Sequence, residues 1–263
     1  MDNVKSLSAC VLASGSKGNS TLVEGNKTKI LIDIGKSCSY IVQLLNQLSI
    51  EPNEIDGILI THTHNDHTNG LKVFVKKYHP KVYLTIKMYE DLKDMISIDD
   101  CCFIDEPFRI NELEIDYIKT SHDVSDSNGY IIKNNDKSLV YITDTGYINE
   151  KNTEKLRNHD IYIMESNHDI KMLMSGKYPY HLKQRIQGDR GHLSNEDSAK
   201  YLSTYIGNKT KYIVLAHLSQ DNNTKELAYK TLYDNLEKKH QKIQKIIVAE
   251  QDEKTDLIKV WLK

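Results

Sequence analysis

The sequence predicts an α/β fold in which two mixed β-sheets pack together, with helices on the outside. Three observations predict this fold class. Tight hairpins join the early strands, helices join the later strands, and several strands are short apolar runs of the kind that is buried on both faces. No Pro-rich or Ser-rich linker divides the 263 residues, so we expect a single domain over residues 1–263.

In the first part of the chain, turn residues and apolar periodicity define each element. Gly25-Asn26 between two apolar runs predicts a hairpin, and Ile41, Leu44 and Leu45 recur at helical spacing. The predicted strands are residues 7–13, 21–24, 28–34, 57–61 and 82–84, and the predicted helices are residues 40–48 and 71–78.

In the remainder, strands precede helices. Ser194 is the expected N-cap of a helix, with Asp197 three residues on. Residues 166–191 have no clear period, and so long an irregular segment is usually functional. The predicted strands are residues 113–119, 130–133, 139–143, 161–164, 212–216, 246–248 and 257–261, and the predicted helices are residues 195–206 and 224–237.

Composition excludes several classes of protein. Lys and Arg number 35 against 37 Asp and Glu, so no global basic field favours nucleic acid, although a local basic patch is compatible with this balance. The mean hydropathy is −0.55, and no apolar run approaches the roughly 20 residues that span a bilayer. We therefore expect neither a membrane-spanning protein nor a histone-like DNA binder.

The cysteines indicate a cytoplasmic protein. The chain has four, without CxxC spacing, and we expect them to be reduced. Leu7-Ser8-Ala9-Cys10 looks like a lipoprotein cleavage box, but no apolar segment precedes it, so we do not interpret it as a leader.

The strongest chemical signal is the run His62-Thr63-His64-Asn65-Asp66-His67, directly after the buried strand. Four ligand-type side chains lie within six residues. Imidazole and carboxylate groups suit Zn, Mn or Fe rather than Ca. His122, Asp144 and His217 each follow a later predicted strand, and we expect them to join the same metal site.

These motifs resemble the metallo-β-lactamase superfamily. The stretches SGSKGNST (14–21), LIDIG (31–35), ESNHD (165–169), LKQRIQGDRGHLSN (182–195) and LAHLSQDNN (215–223) narrow the resemblance to its bacterial YycJ or WalJ branch. The resemblance covers nearly the whole chain. It implies a four-layer αββα sandwich with the site at one edge, between the sheets.

The resemblance also implies two divalent transition-metal ions, which are Zn, Mn or Fe. One ion would take His62, His64 and His122, the other would take Asp66, His67 and His217, and Asp144 would bridge them. Such a pair holds a bridging hydroxide as nucleophile and binds a phosphoryl oxygen. Asp66 is the anionic ligand that we count among the catalytic residues.

A further likeness to ribonuclease Z-type phosphodiesterases assigns Glu165 and His192. His192, polarised by Glu165, would protonate the leaving alkoxide. The alternatives are an ordinary residue before a helix cap for His192 and, for Glu165, an ion-pair partner of Arg185 or Lys183.

Substrate-binding candidates lie mainly in residues 171–192, which carry five basic residues against one acid, Asp189. Phosphate backbones favour such a patch, and the alternative is a solvated loop. The candidates are Lys177, Lys183 and Arg185, with His168 as a substrate or supporting contact and Asn19 on the rim.

We therefore expect a dinuclear-metal phosphodiesterase acting on nucleic acid. The resemblance implies a DNA exonuclease, with 5′-to-3′ polarity as one option. The alternatives are a small-molecule metallo-hydrolase (lactonase, glyoxalase II-like or cyclic-nucleotide phosphodiesterase) and a non-enzymatic metal-binding or DNA-binding protein. The sequence leaves the metal, DNA against RNA, and the oligomeric state open.

Overall fold

The computed structural model describes residues 6–261, and within that range the chain forms two β-sheets of seven strands each. Helices cover the outer face of both sheets, so the expected αββα sandwich of two mixed sheets is confirmed. The ends of the expected domain, residues 1–5 and 262–263, lie outside the described residues.

The first sheet combines the N-terminal strands with the last strand of the chain. Its strands are β1 (Ser6–Ala13), β2 (Ser20–Glu24), β3 (Lys29–Ile32), β4 (Gly57–Leu59), β5 (Lys81–Leu84), β6 (Cys101–Phe103) and β14 (Ile258–Trp261). Their spatial order is β14-β1-β2-β3-β4-β5-β6. β2 and β3 form the predicted antiparallel hairpin, and β3 to β6 run parallel.

The second sheet follows the chain in order. Its strands are β7 (Phe108–Ile110), β8 (Leu113–Lys119), β9 (Asn128–Asn134), β10 (Lys137–Ile142), β11 (Ile161–Glu165), β12 (Tyr212–Ala216) and β13 (Lys245–Val248). β7 to β10 are antiparallel neighbours, and β10 to β13 run parallel.

The helices differ widely in length. They are α1 (Cys38–Gln47), α2 (Asn65–Thr68), α3 (Leu71–Tyr78), α4 (Ile86–Leu92), α5 (Thr153–Leu156), α6 (Ile170–Ser175), α7 (Tyr180–Gln187), α8 (Asn195–Tyr205) and α9 (Lys225–Lys238). Ser194 caps α8 as predicted, accepting a hydrogen bond from the backbone N–H of Asp197. Among the described residues, no helix has both the length and the apolar character that crossing a bilayer requires.

Strand β1 explains how the layers are held together. Leu7, Ala9 and Val11 point into the core between the two sheets, whereas Cys10 and Leu12 pack against the helices outside the first sheet. Because side chains alternate along a strand, a strand with apolar residues on both faces can contribute to two cores. This arrangement buries every residue of β1.

The structure corrects the sequence prediction in residues 166–191. This segment contains α6 and α7 rather than a single irregular loop. Leu173 is the buried residue of α6, and Lys183 is the buried residue of α7, so neither helix has an apolar stripe that a periodicity search detects. Helix α4 and the three-residue strands β6 and β7 were also not predicted, because they are too short for a periodic signal.

Candidate metal centre

The candidate site lies at one edge of the sandwich, where several strands end. β10, β11 and β12 are parallel, and two antiparallel pairings give β8 the same direction, so their carboxyl ends share one edge. The candidate residues at these ends are His62 after β4, His122 after β8, Asp144 after β10, Glu165 at the end of β11 and His217 after β12.

The structure brings the seven predicted metal ligands together in overlapping groups, in which ligand atoms lie within 4.8 Å of one another. Three of the groups are His62, His64 and His122; Asp66, His67 and His217; and His62, His67 and Asp144. A fourth group consists of Asp144, Glu165, His192 and His217. Asp144 lies between the first two groups. Its Oδ2 is 3.2 Å from Nε2 of His67, and its Oδ1 is 3.2 Å from Nε2 of His217 and 4.0 Å from Nε2 of His122.

Unpartnered polar atoms test whether this site fits a metal. Nε2 of His62, Nε2 of His217, Oδ2 of Asp144 and Oδ1 of Asp123 are buried and have no hydrogen-bond partner among the described residues. Leaving such a group unsatisfied costs about 1–3 kcal/mol, so native structures rarely do so. Imidazole nitrogens and carboxylate oxygens are ligands for divalent transition metals, so the donor set fits such ions.

The charges in the site favour the deprotonated carboxylate. Burial alone would raise the pKa of Asp144, but the imidazoles of His217 and His67 hold that pKa well below its usual range. Burial would lower the pKa of His67, yet Asp144 and Asp33 raise it to about 10. A histidine binds a metal ion through a deprotonated ring nitrogen, so an ion that binds to His67 competes with the proton that these two carboxylates favour.

Asp33 is a supporting residue that the sequence analysis did not single out. Its Oδ2 accepts a hydrogen bond from His67 at Nδ1, with the two atoms 2.7 Å apart, and its carboxylate also binds the backbone and hydroxyl groups of Thr61. Such a carboxylate fixes the tautomer and orientation of a metal-ligating histidine. The available signal was an acidic residue at the end of an apolar strand, in the stretch LIDIG.

Asn19 supports the ligands rather than lining the rim. It is buried, and its Nδ2 lies 2.9 Å from Nε2 of His67 and 3.3 Å from Oδ2 of Asp66. Its backbone N–H donates to the carbonyl of Asp66, and it accepts from the N–H of Gly35 through its own carbonyl. A Cβ on Gly35 would lie 1.7 Å from that Asp66 carbonyl, so only glycine allows this close approach.

Three residues of the site have a left-handed backbone conformation. Asp33, Asp144 and His217 have φ values of 60°, 57° and 55°. Left-handed backbone costs a non-glycine residue of order 1–3 kcal/mol and persists where the surroundings enforce it. Each of the three follows the end of a strand, namely β3, β10 and β12, and its side chain contacts the site.

Glu165 and His192 form a hydrogen-bonded pair. Oε1 of Glu165 lies 2.6 Å from Nδ1 of His192, and Oε2 accepts from the backbone N–H groups of Thr145 and Leu193. Burial would raise the pKa of Glu165, but His192 and further hydrogen bonds lower it to about 2. Burial would lower the pKa of His192, but Glu165 raises it above its usual value.

The alternative partners for Glu165 are engaged elsewhere. Arg185 forms an ion pair with Asp123, and its Nε lies 2.7 Å from Oδ2 of that residue. Lys183 is buried, and its Nζ donates to the carbonyls of Met174 and Gly176 at 2.7 and 2.6 Å. Lys183 therefore ties α6 to α7, which differs from its expected role in binding phosphate.

A cavity of about 230 Å³ opens over the ligands. Its lining includes His192, Arg185, Arg190 and Ser16. The side chain of Arg185 is 63% exposed, so it lies at the mouth of the cavity. Lys177 is 82% exposed and lies 3.5 Å from Asp221, whereas Arg190 donates to backbone carbonyls. Most cations of the basic segment thus already have protein partners.

His168 is buried beneath this surface. Its Nδ1 has no hydrogen-bond partner among the described residues, and burial lowers its pKa to about 4. Its carbonyl accepts from the N–H of Asn195. The side chain of His168 is 1% exposed and is not among the residues that line the cavity, which favours a supporting position over a substrate contact.

Comparisons with known proteins agree with this geometry. A family model described as a β-lactamase superfamily domain matches residues 28–217. The chain is 40% identical over 233 residues to exodeoxyribonuclease WalJ of Streptococcus pneumoniae, covering 86% of this chain and 87% of that protein. It is 38% identical to exodeoxyribonuclease YycJ of Bacillus anthracis over 87% of this chain and 89% of that one.

Among solved structures, the metallo-β-lactamase fold protein YhfI of Bacillus subtilis aligns with a TM-score of 0.73. The identity is 15%, over 97% of this chain and 100% of that one, so this likeness concerns the fold alone.

Proposed function

The chain belongs to the β-lactamase superfamily, and we propose that it is a metal-dependent exodeoxyribonuclease that hydrolyses phosphodiester bonds. The observation that carries the proposal is that His192, which is hydrogen-bonded to the buried Glu165, lines one cavity together with Arg185 and five of the seven predicted metal ligands. These five ligands are His64, Asp66, His122, Asp144 and His217. The names of the two bacterial relatives support DNA as the substrate.

We propose that two divalent ions bind, one to His62, His64 and His122 and the other to Asp66, His67 and His217, with Asp144 shared between them. The unpartnered ligand atoms support this assignment. Bound ions supply Lewis-acid stabilisation of the phosphoryl group and an activated water. Asp33 and Asn19 orient His67, and Asp66 supplies negative charge to the second group.

His192 is proposed as the general acid. Glu165 holds Nδ1 of the imidazole, which leaves Nε2 to donate a proton to the leaving oxygen. The side chain of His192 is 21% exposed and lines the cavity, so its proton has access to a bound substrate. Glu165 stabilises the protonated imidazole, because its pKa stays low despite complete burial.

Arg185 and Lys177 are proposed as phosphate contacts outside the reacting bond. Both are exposed on the segment beside the cavity. Each is paired with an aspartate that a substrate phosphate would have to replace.

We further propose one domain and a cytoplasmic location. One core shared by both sheets supports the first, and free cysteines support the second.

A specific observation favours a second candidate, a small-molecule phosphodiesterase. The cavity is only about 230 Å³, and most of the basic side chains beside it are already paired. Such an enzyme would hydrolyse small phosphodiesters and would bind DNA no better than any near-neutral protein does.

The test uses protein reconstituted with Mn²⁺ or Zn²⁺ and end-labelled single- and double-stranded DNA and RNA. We expect DNA to be degraded from an end, and substrates blocked at the 5′ or 3′ end will give the polarity. Asp144→Asn, at equal metal concentration, is the control for contaminating nucleases. Hydrolysis of small phosphodiesters without degradation of DNA under either metal would refute the nuclease proposal.

A further inference from the structure

Asp123 is a carboxylate at the site that the predicted ligand set leaves out. It directly follows His122, after β8. Its Oδ1 lies 3.5 Å from Nε2 of His122 and 3.8 Å from Nε2 of His64. The other oxygen, Oδ2, accepts hydrogen bonds from Arg185. The two oxygens of one carboxylate therefore face two different groups.

The Oδ1 atom of Asp123 lacks a hydrogen-bond partner in the described part of the chain, as do three of the predicted ligand atoms. It is buried without a hydrogen-bond partner among the described residues, like Nε2 of His62, Nε2 of His217 and Oδ2 of Asp144. Arg185 satisfies Oδ2 only. Because ligands of one ion 2.0–2.2 Å away stand roughly 3–3.5 Å apart, Oδ1 is close to ligand spacing from both imidazoles.

The distribution of carboxylates between the two ligand groups also points to Asp123 as a ligand. The group of Asp66, His67 and His217 contains its own carboxylate, whereas the group of His62, His64 and His122 consists of imidazoles alone. In the proposed function, Asp144 is the one carboxylate among the ligands of an ion held by this group, and Asp144 is shared with the second ion. A further anionic oxygen would neutralise more of the charge of the first ion. Oδ1 of Asp123 is placed to supply that oxygen, because it lies 3.5 Å from Nε2 of His122 and 3.8 Å from Nε2 of His64.

We propose that Asp123 is an additional anionic ligand of the ion held by His62, His64 and His122. The inference rests on the metal centre in the proposed function. Through Oδ2, the same side chain positions Arg185 at the mouth of the cavity. Asp123 thus connects the group of His62, His64 and His122 to Arg185, and the loss of its charge weakens metal binding directly.

The test is metal binding by Asp123→Asn, which keeps the shape of the side chain and removes the charge. Metal-free protein is titrated with Mn²⁺ and, in parallel, with Zn²⁺. Free Mn²⁺ is measured by its paramagnetic resonance signal, and Zn²⁺ by a competing chelator. We expect the affinity for one of two ions to fall 10- to 100-fold for each metal, with the other site unchanged.

Two further variants make the result specific. Asp221→Asn removes a carboxylate that pairs with Lys177 on the same face and should leave both metal affinities unchanged. Arg185→Ala removes the ion pair but keeps the Asp123 carboxylate, so it should also retain metal binding. Thermal unfolding of the metal-free proteins verifies that each variant is folded, and Asp123→Ser replaces Asp123→Asn if the latter does not fold.

A loss of less than tenfold for both metals in a folded Asp123 variant overturns the proposal. Equal losses in Arg185→Ala overturn it too, because the ion pair would then be the cause. The readout needs no nucleic acid. If the protein fails to degrade DNA but Asp123→Asn weakens metal binding, the nuclease proposal fails and this inference stands.

Discussion

Replacing His192 by alanine tests the chemistry most directly. Glu165 lies 2.6 Å from Nδ1 of His192 and raises the pKa of this imidazole, which we propose as the general acid. General-acid assistance typically contributes 100- to 10,000-fold. At about 1.36 kcal/mol per factor of ten, this contribution corresponds to roughly 2.7–5.4 kcal/mol of transition-state stabilisation. We expect His192→Ala to lower turnover of DNA within this range.

The assay compares two leaving groups. An alkoxide leaving from DNA needs a proton, whereas nitrophenolate leaving from bis-p-nitrophenyl phosphate does not. The loss in His192→Ala should therefore be about 100-fold greater on DNA than on the nitrophenyl ester. His181→Ala, an exposed histidine on α7, is the matched control and should behave like the wild type on both substrates. Equal losses on both substrates in His192→Ala would refute the acid role and indicate substrate binding.

The pH profile supplies an independent measurement of the same pair. Glu165 raises the pKa of His192, so the imidazole stays protonated to higher pH, and DNA hydrolysis should fall as pH rises through that pKa. Glu165→Gln removes the larger of the two carboxylate charges that oppose the effect of burial on His192, while Asp144 remains, so the pKa of His192 should fall. The alkaline decline should then move to lower pH, with metal content measured at each pH. An unchanged alkaline limb would contradict the assignment.

Other changes test the metal site, the fold around it and the substrate surface. Asp144→Asn should weaken both metal sites, seen as a drop in the bound metal measured by elemental analysis; a wild-type content that never exceeds one ion would contradict the two-metal model. Gly35→Ala should lower the free energy of unfolding by roughly 1–3 kcal/mol, because the added Cβ would overlap the carbonyl of Asp66. Thermal unfolding measures this change, and an unchanged unfolding midpoint would show that the backbone around Gly35 relaxes freely. Replacing Lys177 and Arg185 by alanine should weaken the salt dependence of DNA binding: the slope of log K for binding against log salt concentration should fall by about 0.9 per lost contact with duplex DNA. Hydrolysis of bis-p-nitrophenyl phosphate should be reduced less than DNA binding. An unchanged slope would show that the DNA binds elsewhere on the protein.

The sequence alone predicted the sandwich and the ligands for local reasons. Strands such as β8 and β12 are apolar runs whose signal lies within a few residues, and their observed bounds match the prediction. The ligands follow strand ends, and the spacing of His62, His64, Asp66 and His67 is fixed by adjacency in the chain.

Only the tertiary structure decided the environment of those ligands. Asp33 and His67 are 34 residues apart in sequence, and Asp123 and Arg185 are 62 apart, so no local pattern pairs them. Lys183 looked like its basic neighbours, but its ammonium group donates to the carbonyls of Met174 in α6 and of Gly176 directly after α6. Asn19 and His168 likewise proved to be buried once the strands packed. The residue types were visible in the sequence, whereas their partners depended on which segments the fold brings within hydrogen-bond distance.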